Sequence, residues 1–568
     1  MVAARLRLAP PLLLAASAWA SLASGSECSD KHGPRLGAVA SESGICSRIG
    51  ARLIQDGGNA ADALVGTVFC IGTVAMYHSG IGGGGFLLLR TANGTYEYLD
   101  FRETAPAAAY EAMYKGNVKA SMYGGLASGV PGELRATEYL HKTYGKLKWA
   151  DVIAPSIKLA RYGFTVTEDL VKYMDSVSPN AFLTEDPTWA MDFAPRGCRV
   201  GLGETMTRKR YANTLEAIAE QGADAFYTGA IARATINALR AANGTMTMDD
   251  LANYTIAHRN PISINYRGFN ITSTNAPSSG AVALSALNIL AGYNSGQFQE
   301  PSRSNLSTHL LVEAIKWGYG QRTKLGDPSF VSGLDKYTLD MISADTAAEI
   351  RSKILDDKTF NVSYYDPQGI ESLETPGTSH IVTADASGMS VSMTTTINLL
   401  FGSNLMVPET GVIMNNEMND FSIPGESNAF GYIPSTANFI RPGKRPLSSI
   451  SPLIAETPDG KLFFSIGSAG GSRITTANIQ NAIHLIDGNM TTAAALKEPR
   501  LHDQLVPAYV TFETTYNNAT VDFLRAIGHN VTWVAPGQST AQALRQLPDG
   551  TFEAAGEPRQ KNSGGYAV

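Results

Sequence analysis

The chain has 568 residues, 44% of them hydrophobic and 17% charged, with a formal net charge of −6. This composition describes a globular protein with a large core and room for two lobes. Its mild acidity lacks the basic stripe that nucleic-acid binding requires.

Residues 1–20 read as a secretory signal. Arg5 and Arg7 precede the apolar run Leu8 to Leu22, which holds the A-x-A pattern Ala18-Trp19-Ala20. An uncleaved anchor is the alternative, although the run is short for a span of about 20 residues. Sequons begin at Asn93, Asn243, Asn253, Asn270, Asn305, Asn361, Asn489, Asn518 and Asn530, a density that agrees with export and a glycosylated surface. The expected location is the secretory pathway or the extracellular space, with cell-surface, vacuolar or membrane-anchored forms as alternatives. Four cysteines, Cys28, Cys46, Cys70 and Cys198, are too few for a disulfide framework, and no Cys-x-x-Cys pair or His/Cys cluster points to structural zinc.

A short strand signal after residue 36 gives way to Ile49–Gln55 and the loop Asp56-Gly57-Gly58-Asn59. Ala60–Met76 is apolar over about fourteen residues, which predicts a buried core helix and not a membrane span. The run Gly82-Gly83-Gly84-Gly85 precedes the strand Phe86–Arg90; it lacks the Lys-Ser/Thr ending of a phosphate loop, so close backbone packing beside a site is the expectation. Helical patterns follow over Leu134–Tyr144 and Trp149–Tyr162, and residues 165–350 read as mainly helical with polar loops. Residues 355–376 are a polar, sequon-bearing stretch, expected as an exposed linker.

Two strand-like runs, Thr378–Ala384 and Ser390–Thr396, flank an Asp/Ser/Gly turn and predict a hairpin. A loop over 385–389 sets Ala384 opposite Ser390 and Thr378 opposite Thr396. Taken alone, this reads either as a Thr-rich strand pair or as a reacting hydroxyl with a helper across from it. Gly411–Met414 is expected to be a strand ending in the polar corner Asn415–Asp420. Ile450–Glu456 and Lys461–Ile466 form a second hairpin around Thr457-Pro458-Asp459-Gly460, and the latter strand runs through Gly470-Gly471 into a helix from Ser472 to Ile486. The remaining chain alternates helix, strand and turn.

Three features carry chemistry. An internal Gly377-Thr378 bond can be attacked by the Thr hydroxyl, giving an ester and then a new N-terminal Thr. The freed α-amine, with a reference pKa of about 7.7 to 8, then serves as its base. Gly470 and Gly471 sit at a strand-to-helix junction, where backbone N–H groups suit either an oxyanion or an ordinary tight turn. Arg102 with Ser448 and Ser449, set against Asn398, Glu417 and Asp420, is a mixed charge set suited to a zwitterionic amino-acid head.

From about residue 35 onward the chain resembles the γ-glutamyltransferase (γ-glutamyltranspeptidase) family in its eukaryotic form. The blocks that carry the resemblance are Gly57–Ala63, Ser79–Phe86, Arg102–Pro106, Val130–Glu133, Gly377–His380, Thr394–Leu399, Asn415–Phe421, Pro446–Ser449 and Ala469–Gly471, in that order. The resemblance implies an α/β (α+β) fold, the four-layer αββα sandwich of the Ntn hydrolases, matured by self-cleavage at Gly377-Thr378. A large subunit (21–377) and a small catalytic subunit (378–568) would then remain one intertwined domain.

It also implies roles. Thr378 is the nucleophile, Thr396 its hydrogen-bonded second threonine, and Gly470 and Gly471 the oxyanion pair. Arg102, Ser448 and Ser449 bind an α-carboxylate; Asn398, Glu417 and Asp420 bind an α-amine. Cys46 and Cys70 match a disulfide pair of eukaryotic members, whereas Cys28 and Cys198 have no clear counterpart. Phe430-Gly431 stands where many bacterial members have a Tyr that gates the site, so looser access is expected. The implied activity is hydrolysis or transfer of the γ-glutamyl group of glutathione and related compounds to water, amino acids or dipeptides, with no metal or organic cofactor and no nucleic acid. A glutaryl or cephalosporin acylase and a catalytically silent secreted glycoprotein are the alternatives.

Overall fold

The computed structural model describes residues 35–300, 304–366, 377–425 and 433–568. The signal segment, Cys28, Phe430-Gly431 and the second half of the expected linker lie outside these residues. In chain order the strands of the two main sheets are β1 (Gly37–Ser41), β2 (Gly84–Arg90), β3 (Tyr96–Asp100), β4 (Ala257–Arg259), β5 (Ile262–Tyr266), β6 (Phe269–Ser273) and β7 (Thr378–Asp385). They continue with β8 (Ser390–Thr396), β9 (Leu453–Glu456), β10 (Leu462–Ala469), β11 (Thr540–Gln546), β12 (Phe552–Ala555) and β13 (Gly564–Ala567). Five helices matter here: α1 (Gly44–Gln55), α2 (Ala60–Val74), α3 (Gly280–Ala291), α4 (Asn305–Arg322) and α5 (Arg473–Ile486).

One antiparallel sheet has the order β13-β1-β7-β8-β2-β3-β4, the other β12-β11-β10-β9-β6-β5. They pack face to face through Ala38, Leu88, Val382, Ile454 and Leu544, while α1 and α2 cover the first sheet and α3 and α5 the second. The result is an αββα sandwich. With both faces covered, β7 and β8 are buried at every residue, so they read as continuous runs. Side chains still alternate: Val382 and Ala384 enter the inter-sheet core, and Ile381, Val391 and Met393 pack with Leu64 and Val68 on the α2 side.

The apolar helix expected after residue 60 is α2. Asn59 caps it by accepting from the Ala61 and Asp62 N–H groups, and Asp62 returns a bond to the Asn59 N–H. A Cys46–Cys70 disulfide joins α1 to α2; Cys198 is exposed. Among the described residues no helix is long and apolar enough to cross a membrane.

Residues 165–350 are mainly helical, as expected, and also hold β4, β5 and β6. In β5 the buried Ile262, Ile264 and Tyr266 alternate with exposed Ser263 and Asn265, the period of a half-covered edge strand. Gly411–Met414 is no regular strand; Gly411 turns the chain at φ +68° and leaves only the bridge Met406–Ile413. The C-terminal part, expected to alternate helix, strand and turn, contributes β11, β12 and β13 to the two sheets. Asn270 is the one sequon inside a main-sheet strand, and its Nδ2 donates to Glu456 at 3.1 Å, whereas the Asn residues of the other eight sequons are exposed.

The four-glycine run packs backbone against backbone. A Cβ at Gly82 would overlap the Ile413 carbonyl oxygen, at Gly83 that of Thr396, at Gly84 that of Phe101 and at Gly85 that of Thr394. Gly83→Ala is therefore expected to push β8 away at Thr396 and to cost roughly 1–3 kcal/mol in denaturant unfolding. Gly201→Ala, whose Cβ would meet only the Glu204 carboxylate at 4.0 Å, should stay within about 0.5 kcal/mol of the parent.

Candidate active site

Thr378 opens β7, Thr396 closes β8, and their antiparallel register sets the two directly opposite, as it sets Ala384 opposite Ser390. Thr396 Oγ1 donates to the Gly377 carbonyl at 2.6 Å. The same oxygen accepts from the Asn398 N–H at 2.8 Å and from Thr378 Oγ1 at 3.3 Å. A hydroxyl has one proton and two lone pairs, so this set saturates Thr396 and aims the Thr378 proton at it.

Asn398 follows with φ +74°, a left-handed conformation that Asn tolerates. Its Nδ2 donates to the Asn416 carbonyl at 2.9 Å, which leaves Oδ1 buried and unpaired. Two further asparagines build the acidic turn Glu417–Asp420. Asn415 Nδ2 donates to the Gly82 and Gly129 carbonyls, both at 2.8 Å, and its Oδ1 accepts the Glu417 N–H at 3.0 Å. Asn416 Nδ2 donates to Met122 O at 2.8 Å, and its Oδ1 accepts from Leu399 N–H at 3.0 Å. The acids thus sit on a frame tied to the glycine run.

Arg102 leaves β3 and is buried. Its N–H donates to Asp100 Oδ1 at 3.0 Å, and Tyr254 Oη donates to its carbonyl at 2.9 Å. The guanidinium pairs with both Glu417 and Asp420, with Glu103 at 4.0 Å. The sequence suggested cation and acids on opposite sides; in the fold they meet, because an unpaired buried charge costs several kcal/mol. Glu417 Oε2, Asp420 Oδ1 and both Glu103 carboxylate oxygens nevertheless have no partner.

The electrostatics follow from this crowding. Burial opposes the Arg102 charge, but Glu417, Asp420 and Glu103 hold its pKa above the ordinary arginine value. Burial raises Glu417 and Asp420 against the pull of Arg102. Burial also pushes Glu103 up to about 8 despite Arg102. Glu103 therefore keeps its proton at neutral pH.

Ser448 and Ser449 precede β9. The Ser448 N–H donates to Pro277 O at 2.9 Å, and Thr475 Oγ1 donates to Ser449 O at 3.0 Å. Gly470 (φ +125°) and Gly471 (φ +59°) turn β10 into α5. Their carbonyls accept from the Arg473 and Ile474 N–H groups at 3.2 and 3.1 Å. One cavity is lined by Arg102, Thr378, Thr396, Asn398, Glu417, Asp420, Ser448, Ser449 and Gly471. Gly470 stands one residue behind it. Ile450 and Ile474 supply an apolar wall that no sequence motif singled out.

Among the described residues one cluster has metal-ligand spacing, His309, Glu313 and His529, 220 positions apart in sequence at its ends and so missed by local motifs. Its protons are already assigned. Lys316 donates to His529 Nδ1 at 3.3 Å, His529 Nε2 to His309 Nδ1 at 2.8 Å, and His309 Nε2 to Leu355 O at 2.7 Å. Burial and then Lys316 hold the His529 pKa down at about 2. Both His Nδ1 lone pairs thus accept hydrogen bonds and do not converge on an ion.

The sandwich and the threonine at the head of an inner strand define an Ntn-hydrolase fold. The family model described as Gamma-glutamyltranspeptidase matches residues 46–567. The chain is 56% identical to a glutathione hydrolase proenzyme of Arthroderma benhamiae, covering 94% of each. It is 52% identical to a glutathione hydrolase of Aspergillus flavus, covering 95% of this chain and 91% of that one. In structure it is similar to a cephalosporin acylase from Bacillus halodurans, with a TM-score of 0.81, 27% identity and coverage of 94% and 96%. The chain belongs to the γ-glutamyltranspeptidase family.

Glu103 gives a pH test. Its ordinary value is 4.5 and its folded value about 8, so the folded state binds the extra proton in that window and stability falls as pH rises through it. Glu103→Gln is expected to gain stability over the parent between about pH 5 and about pH 8, by at most roughly 5 kcal/mol. Denaturant unfolding at both pH values measures the difference.

Proposed function

We propose that this protein is an autoprocessed γ-glutamyltransferase and glutathione hydrolase. The observation that carries the reading is the set of unpaired buried acceptors, Asn398 Oδ1, Glu417 Oε2 and Asp420 Oδ1, on residues that line the same cavity as Thr378. An ammonium has three N–H donors and no acceptor, which suits that set. Arg102 and the Ser448 and Ser449 hydroxyls suit the α-carboxylate of the same amino-acid head.

Maturation comes first. Thr396 polarises the Gly377 carbonyl through its 2.6 Å bond, and Thr378 Oγ attacks that carbon. The C–N bond breaks as the Gly377 acyl group passes to oxygen, which frees the Thr378 amine, and water then hydrolyses the ester to the Gly377 carboxylate and the Thr378 hydroxyl. The word proenzyme in the name of the Arthroderma relative supports this step. In the mature protein the Thr378 amine takes the hydroxyl proton as the oxygen attacks the γ-carbonyl of glutathione or another γ-glutamyl amide. The Gly470-Gly471 turn stabilises the oxyanion, an effect of about 3 kcal/mol per donor. The amine leaves with a proton, and water or an amino acid or dipeptide amine then takes the acyl group. The contacts to the head lie away from the reacting carbon, so they position it.

The likeness to a cephalosporin acylase favours a second reading, acylase action on a glutaryl group. Such a group lacks the ammonium and leaves the three acceptors unpaired, at a cost of about 1–3 kcal/mol each. Export to the secretory pathway or outside the cell is supported by the N-terminal segment, the exposed sequons and the disulfide. The partners are small γ-glutamyl compounds and the two products of the chain's own cleavage. Thr378→Ala is expected to give one folded, uncleaved chain without activity. The parent should cleave a γ-glutamyl anilide at least about 100-fold faster in kcat/KM than a glutaryl anilide. Two normal fragments from the variant, or preference for the glutaryl anilide, overturn the reading.

A further inference from the structure

A second buried arginine stands behind the serine pair. Arg322 ends α4 and is 8% exposed. Its Nη2 donates to Ser449 Oγ at 3.2 Å and its Nε to Ser279 Oγ at 3.1 Å. Ser279 Oγ in turn donates to the Ser448 carbonyl at 2.6 Å, and the Ile450 N–H donates to Ser448 Oγ at 3.2 Å. One guanidinium thus grips Ser449 directly and the Ser448 backbone through Ser279.

The direction of these bonds has a chemical consequence. A guanidinium can only donate, and a serine hydroxyl owns a single proton. With Arg322 occupying a lone pair of Ser449 Oγ, the hydroxyl proton is left for an acceptor elsewhere, and Ser449 lines the cavity beside Arg102. Ser448 is biased the same way, since its Oγ accepts from Ile450. The positive charge behind Ser449 also makes its O–H a stronger donor. Arg322 itself is absent from the cavity lining, so its hydrogen bonds reach the site through the serines, while its charge is also felt by Asp420.

We infer that Arg322 is a positioning residue that commits Ser449 to donate to the α-carboxylate of the substrate and so sets selection for that carboxylate. The inference rests on the γ-glutamyl reading above. Lys cannot replace Arg322 fully, because a compact ammonium cannot span two serines as the planar fork does.

The test compares L-γ-glutamyl anilide with 4-aminobutyryl anilide, which lacks only the α-carboxylate, in the processed enzyme. Arg322→Gln is expected to raise KM for the γ-glutamyl anilide roughly tenfold or more, with kcat within about threefold of the parent. The kcat/KM ratio between the two anilides should fall by about the same factor as KM rises. Arg322→Lys should recover part of that ratio, and Ser449→Ala added to Arg322→Gln should cost far less than Ser449→Ala alone. Ser279→Ala, which removes the anchor and keeps the charge, should shift the ratio in the same direction by a smaller factor; it decides the matter if Arg322→Gln does not fold. Equal losses on both anilides, full recovery by Lys, additive losses with Ser449→Ala, or an unchanged ratio in Ser279→Ala overturn the inference. A parent that does not turn over the γ-glutamyl anilide refutes the functional reading first, before any variant is measured.

Discussion

The Thr396 hydroxyl has one proton and two lone pairs, and all three are used: the proton on the Gly377 carbonyl, the lone pairs on the Asn398 N–H and the Thr378 hydroxyl. That arrangement exists only while β7 and β8 keep their register, since a one-residue slip would turn Thr396 to the opposite face. The register is held from both sides. β8 is paired along its full length with β7 and with β2, and the glycine run at the start of β2 lets the neighbouring backbone approach closer than any side chain would allow. The sandwich core, the glycine run and the two threonines are therefore one mechanical unit.

Around it lies an unbalanced charge cluster. The buried Arg102 guanidinium pairs with Glu417 and Asp420 and stands 4.0 Å from Glu103, and the asparagine frame of Asn415 and Asn416 prevents the acids from retreating to solvent. Burial keeps one of these acids protonated, and several acceptor oxygens stay without donors. Such a site is costly to fold and is suited to a ligand that brings both a carboxylate and an ammonium. The carboxylate side is stiffened from outside the cavity by Arg322, a residue whose importance depends on the direction in which hydrogen bonds run.

Much of this was legible in the sequence, for identifiable reasons. The hairpin 378–396 could be registered because an Asp/Ser/Gly turn separates two runs of β-formers, and α2 was visible as an apolar run of helical length. The glycine run could be assigned to close packing because it lacks the phosphate-loop ending. The ordered blocks of family resemblance pointed to residues that the fold gathers at one cavity. Arg322, Ser279 and Glu103 were not legible. Arg322 sits in a helix, where a basic residue is ordinarily a solvated one, and its partners are 43 and 127 positions away. Strands β4 to β6 were hidden in a helical region, and the His309–His529 relay closes only in three dimensions.

The central claim is that Thr378 is first the point of cleavage and then the nucleophile. Intact and peptide mass spectrometry of the purified protein, acid-quenched during turnover of a γ-glutamyl substrate, tests it most directly. The account predicts two polypeptides, the smaller beginning at Thr378 and carrying one γ-glutamyl group as an ester on that residue's side chain. An active preparation with no fragment beginning at Thr378, or with the γ-glutamyl group on another residue, contradicts it.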